Sequence, residues 1–348
     1  IGAILTQLDG KFYITDIIED SPALEAGLYD GDEILEIDGK ALNGRTLDEV
    51  SQLVKGQSGS EAEVKFKALL TGKESTVKVK RQNIKSPNVP YSGLFGDNVG
   101  YIALNSFTAT SANDVKKAFL ALKDTGATQF VLDLRNNGGG LLMQAVEIVN
   151  FFIPKGEKIV ETKGKLTSLN QSYFTQKEPL DTLVPLMVLV NGNSASASEI
   201  VAGALQDLDR AIVIGDITYG KGLVQRHYDL PYKAKMKLTV SKYYIPSGRC
   251  IQKLDYSHKD AFGRVQEVPD SLLKTFETRN GRMVKDGRGV MPDVRVKEPF
   301  AGEIIEHLLM EGVFFKFANQ YKVKHPEIID PKTFKISDIE FESVIRIT

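Results

Sequence analysis

The spacing of apolar and polar positions divides the chain into two textures. Residues 1 to about 86 carry short runs of alternating character separated by turns. Lys11–Ile18 reads as a strand, and Glu33–Ile37 as another, bracketed by the turn dipeptides Asp30-Gly31 and Asp38-Gly39. Thr46-Leu-Asp-Glu49 has the spacing of a capping box. It opens an amphipathic helix that runs to Lys55 and stops at Gly56. Two more strands are expected, Glu61–Leu69 and Ser75–Lys80, which makes this module β-rich with one substantial helix. Gln82–Asn98 holds Pro87, Pro90 and two glycines and reads as a linker.

From Val99 onward, apolar runs of strand length alternate with helical periods. Val99–Asn105, Gln129–Leu134, Pro185–Val190 and Ala211–Gly215 are the expected strands. Helices are expected from Thr110 or Ser111 to near Gly126, from the Asn136–Gly140 loop to Phe152, and from about Ser196 to Leu208. Strand–helix–strand repetition predicts a layered α/β core. Lys235–Ile245 adds a strand, residues 253–290 read as charged and irregular, and Gly302–Asn319 reads as one amphipathic helix.

Length and composition narrow the field. A chain of 348 residues suits two or three domains. The net charge of -1 gives no global field toward nucleic acid or a membrane surface, so no nucleic-acid partner is expected. A single cysteine, Cys250, excludes an intrachain disulfide framework and a cysteine-rich metal site. The four histidines, His227, His258, His307 and His325, lack the close spacing of a zincin motif, so neither metal nor cofactor is expected. No apolar run is long enough to span a bilayer. The chain opens on Ile1-Gly-Ala-Ile-Leu5, a strand-like start without methionine, which reads as a trimmed N-terminus.

Three segments carry candidate chemistry. In Val188-Leu-Val-Asn-Gly-Asn-Ser-Ala-Ser-Ala-Ser-Glu199 a buried strand runs through small residues into a helix. A serine at that junction meets the positive end of the helix dipole, and small neighbours admit a substrate backbone. Plain N-capping by Ser194, Ser196 or Ser198 accounts for the same pattern. In Gly215-Asp-Ile-Thr-Tyr-Gly-Lys-Gly-Leu-Val-Gln225, glycines flank Lys221. An exposed lysine needs no such neighbours, and a lysine held away from water can act as a general base. Gln225 lies four residues on, placed to orient the amine. A glycine-flanked loop lysine on the surface is the plainer alternative. Leu132-Asp-Leu-Arg-Asn-Asn-Gly-Gly-Gly-Leu141 exposes backbone amides that could hold an oxyanion. It lacks the end of a P-loop and the spacing of a dinucleotide fingerprint. Gly-x-Ser-x-Gly is absent, so an α/β-hydrolase elbow is not supported. His227 stands near the lysine as a rival base without a supporting pattern.

Taken in order, these segments resemble the C-terminal processing peptidases, also called tail-specific serine proteases, which carry a PDZ domain. Gly100-Tyr-Ile-Ala-Leu-Asn-Ser-Phe107, Lys242-Tyr-Tyr-Ile-Pro-Ser-Gly-Arg249 and Gly289-Val-Met-Pro-Asp-Val294 extend the likeness to about residue 298. The resemblance implies an α/β (α+β) multidomain fold, a PDZ-like β-rich domain plus a crotonase/ClpP-like α/β peptidase core. It implies a PDZ domain at 1–86, truncated at its start, and a linker at 87–98. The core would span 99–298 with a 253–290 insertion, and a C-terminal helical segment would fill 299–348.

The resemblance also implies a serine endopeptidase with a Ser–Lys dyad. Ser196 would be the nucleophile, Lys221 its base and Gln225 the orienting group, with backbone amides of Ala197 and Gly139 as oxyanion donors. Ile1, Gly2 and Ala3, followed by a strand from Ile4 to Gln7, would form the peptide-binding edge of the PDZ domain, with the Thr46–Lys55 helix opposite. Arg81 stands as a relay between domains or as a solvated strand residue. The implied partners are protein or peptide substrates with free C-termini, with an activating adaptor and a homo-oligomer left open. The implied location is extracytoplasmic, in the periplasm or at the cell envelope. Two rivals stay open, a catalytically silent PDZ scaffold and a crotonase-type acyl-CoA enzyme.

Overall fold

The computed structural model describes residues 1–84, 86–297, 302–327 and 334–345. The chain divides into two units, one of Ile1–Ser86 with Pro299–Thr348 and one of Pro87–Glu298.

The first unit opens with β1 (Ala3–Leu8), β2 (Lys11–Ile17), α1 (Pro22–Glu25), β3 (Glu33–Ile37), β4 (Lys40–Ala41), α2 (Leu47–Val54), β5 (Glu61–Lys67) and β6 (Glu74–Lys80). The strands form an antiparallel sheet in the order β1-β2-β3-β5-β6, with β4 paired to β3. Alternation in the sequence becomes a one-sided core in which Phe12, Ile14, Ile34, Ile37, Val64 and Val79 are buried with Val50 of α2. The capping box holds α2 in place. Thr46 N–H donates to Glu49 Oε2 at 2.8 Å, and Glu49 N–H returns to Thr46 Oγ1 at 3.3 Å.

The second unit contains β7 (Tyr91–Phe95), β8 (Val99–Ala103), α3 (Ser111–Asp124), β9 (Gln129–Asp133), α4 (Leu142–Asn150), β10 (Lys158–Lys163) and β11 (Gln171–Phe174). Then follow β12 (Leu186–Val190), α5 (Ala197–Asp207), β13 (Ile212–Gly215), β14 (Leu223–Asp229) and β15 (Lys235–Tyr244). The short strands β16 (Leu254–Lys259), β17 (Val265–Glu267), β18 (Thr275–Glu277), β19 (Met283–Lys285) and β20 (Val294–Arg295) complete it. The central sheet has the order β20-β13-β12-β9-β8-β7, parallel except for the edge strand β7. A second sheet, β11-β10-β15-β14, is antiparallel.

Helix α5 is buried along its whole length, which explains its small residues Ala197, Ala202, Gly203 and Ala204. At Gly203 a Cβ would sit 2.7 Å from Ile245 Cδ1 and 3.2 Å from Val290 Cγ2, so these side chains pack directly on the helix backbone there.

The C-terminal part of the first unit holds α6 (Glu303–Met310), α7 (Val313–Lys324) and α8 (Asp338–Ile345). Phe315 meets Tyr13 edge-on with ring centroids 5.8 Å apart, and Lys316 pairs with Asp9 at 2.8 Å. These contacts join α7 to the β1–β2 hairpin.

The structure departs from the sequence expectations in three places. The expected linker contains β7, a strand of the central sheet. Its neighbour Asn88 is buried and donates to Thr110 Oγ1 and Asp114 Oδ2 at 2.9 and 2.8 Å. The irregular stretch 253–290 holds two hairpins, β16–β17 and β18–β19. The single C-terminal helix is broken into α6 and α7 at Gly312, whose left-handed backbone (φ 66°) interrupts the helix.

A fully buried ion pair closes the far end of α5. Arg249 donates to Asp207 Oδ1 and to Gln206 Oε1, each at 2.8 Å, and Asp207 Oδ2 also accepts from Ser247 N–H at 3.0 Å. Removing one partner of such a pair leaves a charge stranded in the core. Asp207→Ala is expected to lower stability by about 3–5 kcal/mol, read from urea unfolding midpoints. Asp229→Ala, which breaks the exposed pair with Lys235, should cost about 0–1 kcal/mol.

Candidate active site

The three serines of the strand–helix junction do different work. Ser194 Oγ donates to Leu134 O at 2.8 Å and accepts from Asn191 N–H at 3.0 Å. Ser198 Oγ donates to Asn137 O at 2.8 Å. Both side chains are fully buried and serve to pin the loop. Ser196 stands at the N-cap of α5, where Glu199, three residues on, returns its side chain to the Ser196 N–H at 2.8 Å as in a capping box. The Ser196 backbone lies at φ 58°, ψ −111°, a region that non-glycine residues rarely occupy. The turn between β12 and α5 is therefore a strained elbow centred on Ser196.

Lys221 arrives on the segment between β13 and β14. A Cβ on Gly220 (φ +83°) would fall 2.4 Å from Lys253 Cβ, and one on Gly222 would fall 2.9 Å from Gln252 N. The flanking glycines thus let this segment press against a neighbouring backbone, as their spacing suggested. Lys221 is half-buried.

The link between the two segments is Glu199, a fully buried carboxylate. Its Oε1 accepts from Thr218 Oγ1 at 2.6 Å and Gly220 N–H at 2.7 Å. Its Oε2 accepts from Ser196 N–H at 2.8 Å and Lys221 N–H at 2.9 Å. The amides of the candidate nucleophile and base therefore converge on one oxygen atom. Tyr243, also buried, adds a second clasp. Its hydroxyl reaches Ser196 O at 3.2 Å and the carbonyl of Lys221. Burial pushes the Glu199 carboxyl above the ordinary glutamate range, while the four hydrogen bonds pull it back.

The glycine loop lies against the elbow. A Cβ on Gly139 (φ +96°) would meet Ala195 O at 2.6 Å, Ser196 Cβ at 2.8 Å and Ala197 N at 2.9 Å. Asn137 anchors this loop, donating to Leu104 O at 2.6 Å, while its carbonyl accepts Ala195 N–H at 3.0 Å. Its Oδ1 accepts the N–H of Gly139 at 2.9 Å, so that amide is occupied. The N–H of Ala197 opens α5 and has no intrahelical acceptor by position.

A cavity of about 1110 Å³ lies beside these elements and is lined by Gly138, Ala195, Lys221 and Gln225 among others. Gln225 is exposed on β14 and, among the described residues, bonds neither Lys221 nor Ser196. No hydrogen bond joins Ser196 Oγ to Lys221 Nζ among the described residues. His227 is exposed on the same strand opposite Lys237, outside the cavity lining.

In the first unit, Gly2 (φ 92°) turns the chain into β1, which already includes Ala3 and Ile4. Ile1 O accepts Ala23 N–H at 3.0 Å and Gly2 O accepts Ile18 N–H at 2.9 Å, so the turn is fixed from behind. β1 ends its sheet and contacts α2, which leaves a strand edge beside a helix. Arg81 lies outside β6 and is not solvated. It donates to Leu53 O and Val54 O at 2.9 and 3.0 Å and pairs with Asp38 at 2.7 Å, bracing the end of α2.

The contributions of Glu199, Tyr243 and Asn137 were not read from the sequence. Ser196-Ala-Ser-Glu199 does have the spacing of a capping box, which could have pointed to Glu199. Tyr243 lies in the Lys242–Arg249 segment that carries the family resemblance, but its contacts arise only in the fold.

Residues 98–257 match the family model of Peptidase family S41, residues 13–67 that of the PDZ domain, and residues 304–346 that of the probable PDZ-protease C-terminal helical domain. A carboxyl-terminal-processing protease of Picosynechococcus sp. is 43% identical over 67% of this chain and 56% of its own length. The chloroplastic carboxyl-terminal-processing peptidase 1 of Arabidopsis thaliana is 37% identical over 74% of this chain and 54% of its own length. The chain thus spans about half the length of these curated relatives. A solved structure from Bacteroides fragilis, assigned to the S41 proteases, covers 89% of this chain and 82% of its own at 21% identity and a TM-score of 0.53, a likeness of fold. The chain belongs to peptidase family S41, in the branch that carries a PDZ domain.

Two stability measurements test the site. Glycine tolerates the Ser196 backbone and alanine does not, so Ser196→Gly should be about 1 kcal/mol more stable than Ser196→Ala by chemical denaturation. Glu199 has a folded value above its unfolded one, so the stability tied to it is full at acid pH and lost as pH rises through the folded value. The stability of the wild type relative to Glu199→Gln should therefore decline as pH climbs above the ordinary glutamate value of about 4.3.

Proposed function

We propose that this chain is a serine endopeptidase that cuts protein substrates at or near their C-termini. Ser196 acts as nucleophile and Lys221 as general base. The observation that carries this reading is the convergence of the Ser196 and Lys221 amides on Glu199 Oε2, which holds residues 25 positions apart side by side. The family's activity in the named relatives, carboxyl-terminal processing, supports the substrate class.

In this mechanism Lys221 Nζ takes the proton of the Ser196 hydroxyl while Oγ attacks the scissile carbonyl carbon. The oxyanion forms against Ala197 N–H and an amide of the glycine loop. Gly139 can serve once Asn137 Oδ1 releases its N–H. The ammonium of Lys221 then protonates the leaving amine, and water hydrolyses the ester on Ser196. Gln225 orients the lysine amine when the two approach. The edge of β1 from Ile1 to Ile4 receives the substrate C-terminus as an added strand, with α2 as the opposite wall. We place the enzyme outside the cytoplasm, in the periplasm or at the cell envelope. Among the described residues, no helix is long and apolar enough to cross a membrane.

The occupied Gly139 amide and the missing Ser196–Lys221 hydrogen bond favour a second reading, a PDZ scaffold on a silent peptidase fold. Labelling of Ser196 by a fluorophosphonate separates the two.

Ser196→Ala and Lys221→Ala are each expected to abolish casein degradation while binding of a C-terminal peptide to the PDZ unit persists. Glu199→Gln keeps both side chains but turns a donor toward the N–H groups it must accept. Its expected loss in kcat is roughly hundredfold. Cleavage at the wild-type rate by either alanine variant would refute the dyad.

A further inference from the structure

The cavity beside Lys221 is unusually cationic for a chain of net charge -1. Four lysines line it, Lys163, Lys165, Lys221 and Lys242, against a single carboxylate, that of Asp255. The carboxylate is already engaged, accepting from Ser257 N–H at 2.9 Å and lying 2.7 Å from His258 Nδ1. Lys163 is partly neutralised by Glu161 at 2.9 Å and lies over the Tyr244 ring at 5.4 Å. Lys165 and Lys242 are exposed and make no ion pair among the described residues.

Sheet register makes this clustering costly. Lys163 and Lys242 are direct partners across the β10–β15 pair, and Lys242 is the partner of Leu223, two residues past Lys221. Like charges placed opposite each other on neighbouring strands repel. The repulsion would be relieved by an anion in the cavity. Gly138 and Ala195 line the same space, so its occupant lies against the serine elbow.

We infer that this cavity is a cationic subsite that selects acidic side chains of the polypeptide substrate close to the scissile bond, with Lys165 and Lys242 as the selecting residues. The inference rests on the proteolytic reading of Ser196 and Lys221 and adds a substrate class to it. An aspartate or glutamate of the substrate would meet several ammonium groups in a recess partly walled from water, where screening is weaker than on an open surface. The walls supplied by Leu223, Tyr244, Leu254 and Tyr256 suit the stem of a side chain as well as its charge.

The test uses the full chain and three fluorogenic peptides with one common C-terminus, so that the PDZ contribution is constant. They carry Glu, Gln or Lys on either side of the cut. The expected order of kcat/KM is Glu, then Gln, then Lys. The spread between Glu and Lys should be about tenfold at low salt and should shrink as ionic strength rises. In Lys165→Glu/Lys242→Glu the order should invert, and because the readout is a ratio, partial misfolding cannot mimic it. A second arm measures binding of the fluorescein-labelled Glu peptide by anisotropy. It compares Ser196→Ala with the same chain carrying the two charge reversals, where affinity should fall about tenfold. If wild type cleaves none of the peptides but lysine-dependent binding persists, the proteolytic reading fails and the cationic subsite stands. Equal turnover of the three peptides, or an order unchanged by charge reversal, overturns the subsite. So does binding that ignores the two lysines.

Discussion

A buried carboxylate accepting four hydrogen bonds organises the peptidase unit. Glu199 takes two backbone amides of the lysine segment, the hydroxyl of Thr218 and the amide of Ser196. Burying such a group is tolerable only when its oxygens are fully engaged. That requirement works in reverse as well. Any shift of either segment would leave a lone pair of Glu199 without a donor in a dry interior, so the carboxylate enforces the juxtaposition of Ser196 and Lys221 more strictly than packing alone. Tyr243 repeats the device on the carbonyl side.

The close approach of three loops at this point is a matter of backbone volume. Gly139 lies against the elbow, and Gly220 and Gly222 lie against residues 252 and 253. Each position was visible in the sequence as a glycine or small residue out of keeping with its neighbours. The reason for each, a particular backbone at a particular distance, was not. Sequence could say that Lys221 had something close by, but not that Lys253 and Gln252 were the residues in question.

Elements with a local signature were the most legible. Thr46 and Glu49 announce α2 because a capping box is written in four residues. Glu33–Ile37 stands out between two turn dipeptides and has the bounds the alternation gave. What the sequence hid depends on distant partners. β7 sits among prolines and glycines that suggest a linker, and only pairing with β8 makes it a strand. β11 and β14 are mostly exposed without clear alternation, and β10 buries Ile159, Val160 and Thr162 out of alternation, so all three left little trace. Gly312 has the mark of a helix stop, yet the apolar period continues on both sides and conceals the break. Around the candidate site, Ser196, Lys221 and the glycine loop stood out in the sequence because their residue types are unusual for their surroundings. Glu199 was overlooked because a glutamate in the first turn of a helix is commonplace.

The serine and the lysine stand on supports of unequal firmness. Helix α5 has no solvent face, so exposing its amides to exchange requires the core around it to open. Lys221 leads instead into β14, the outer strand of its sheet, most of whose residues face water. Fraying of that rim would cost far less than loosening the helix. The serine therefore belongs to the part of the molecule that unravels last, while the chain just beyond Lys221 runs into a rim that can breathe. Motion of that rim reaches Lys221 only by breaking the clasp of Glu199 and Tyr243 on its backbone, whereas the serine stays where the core has put it.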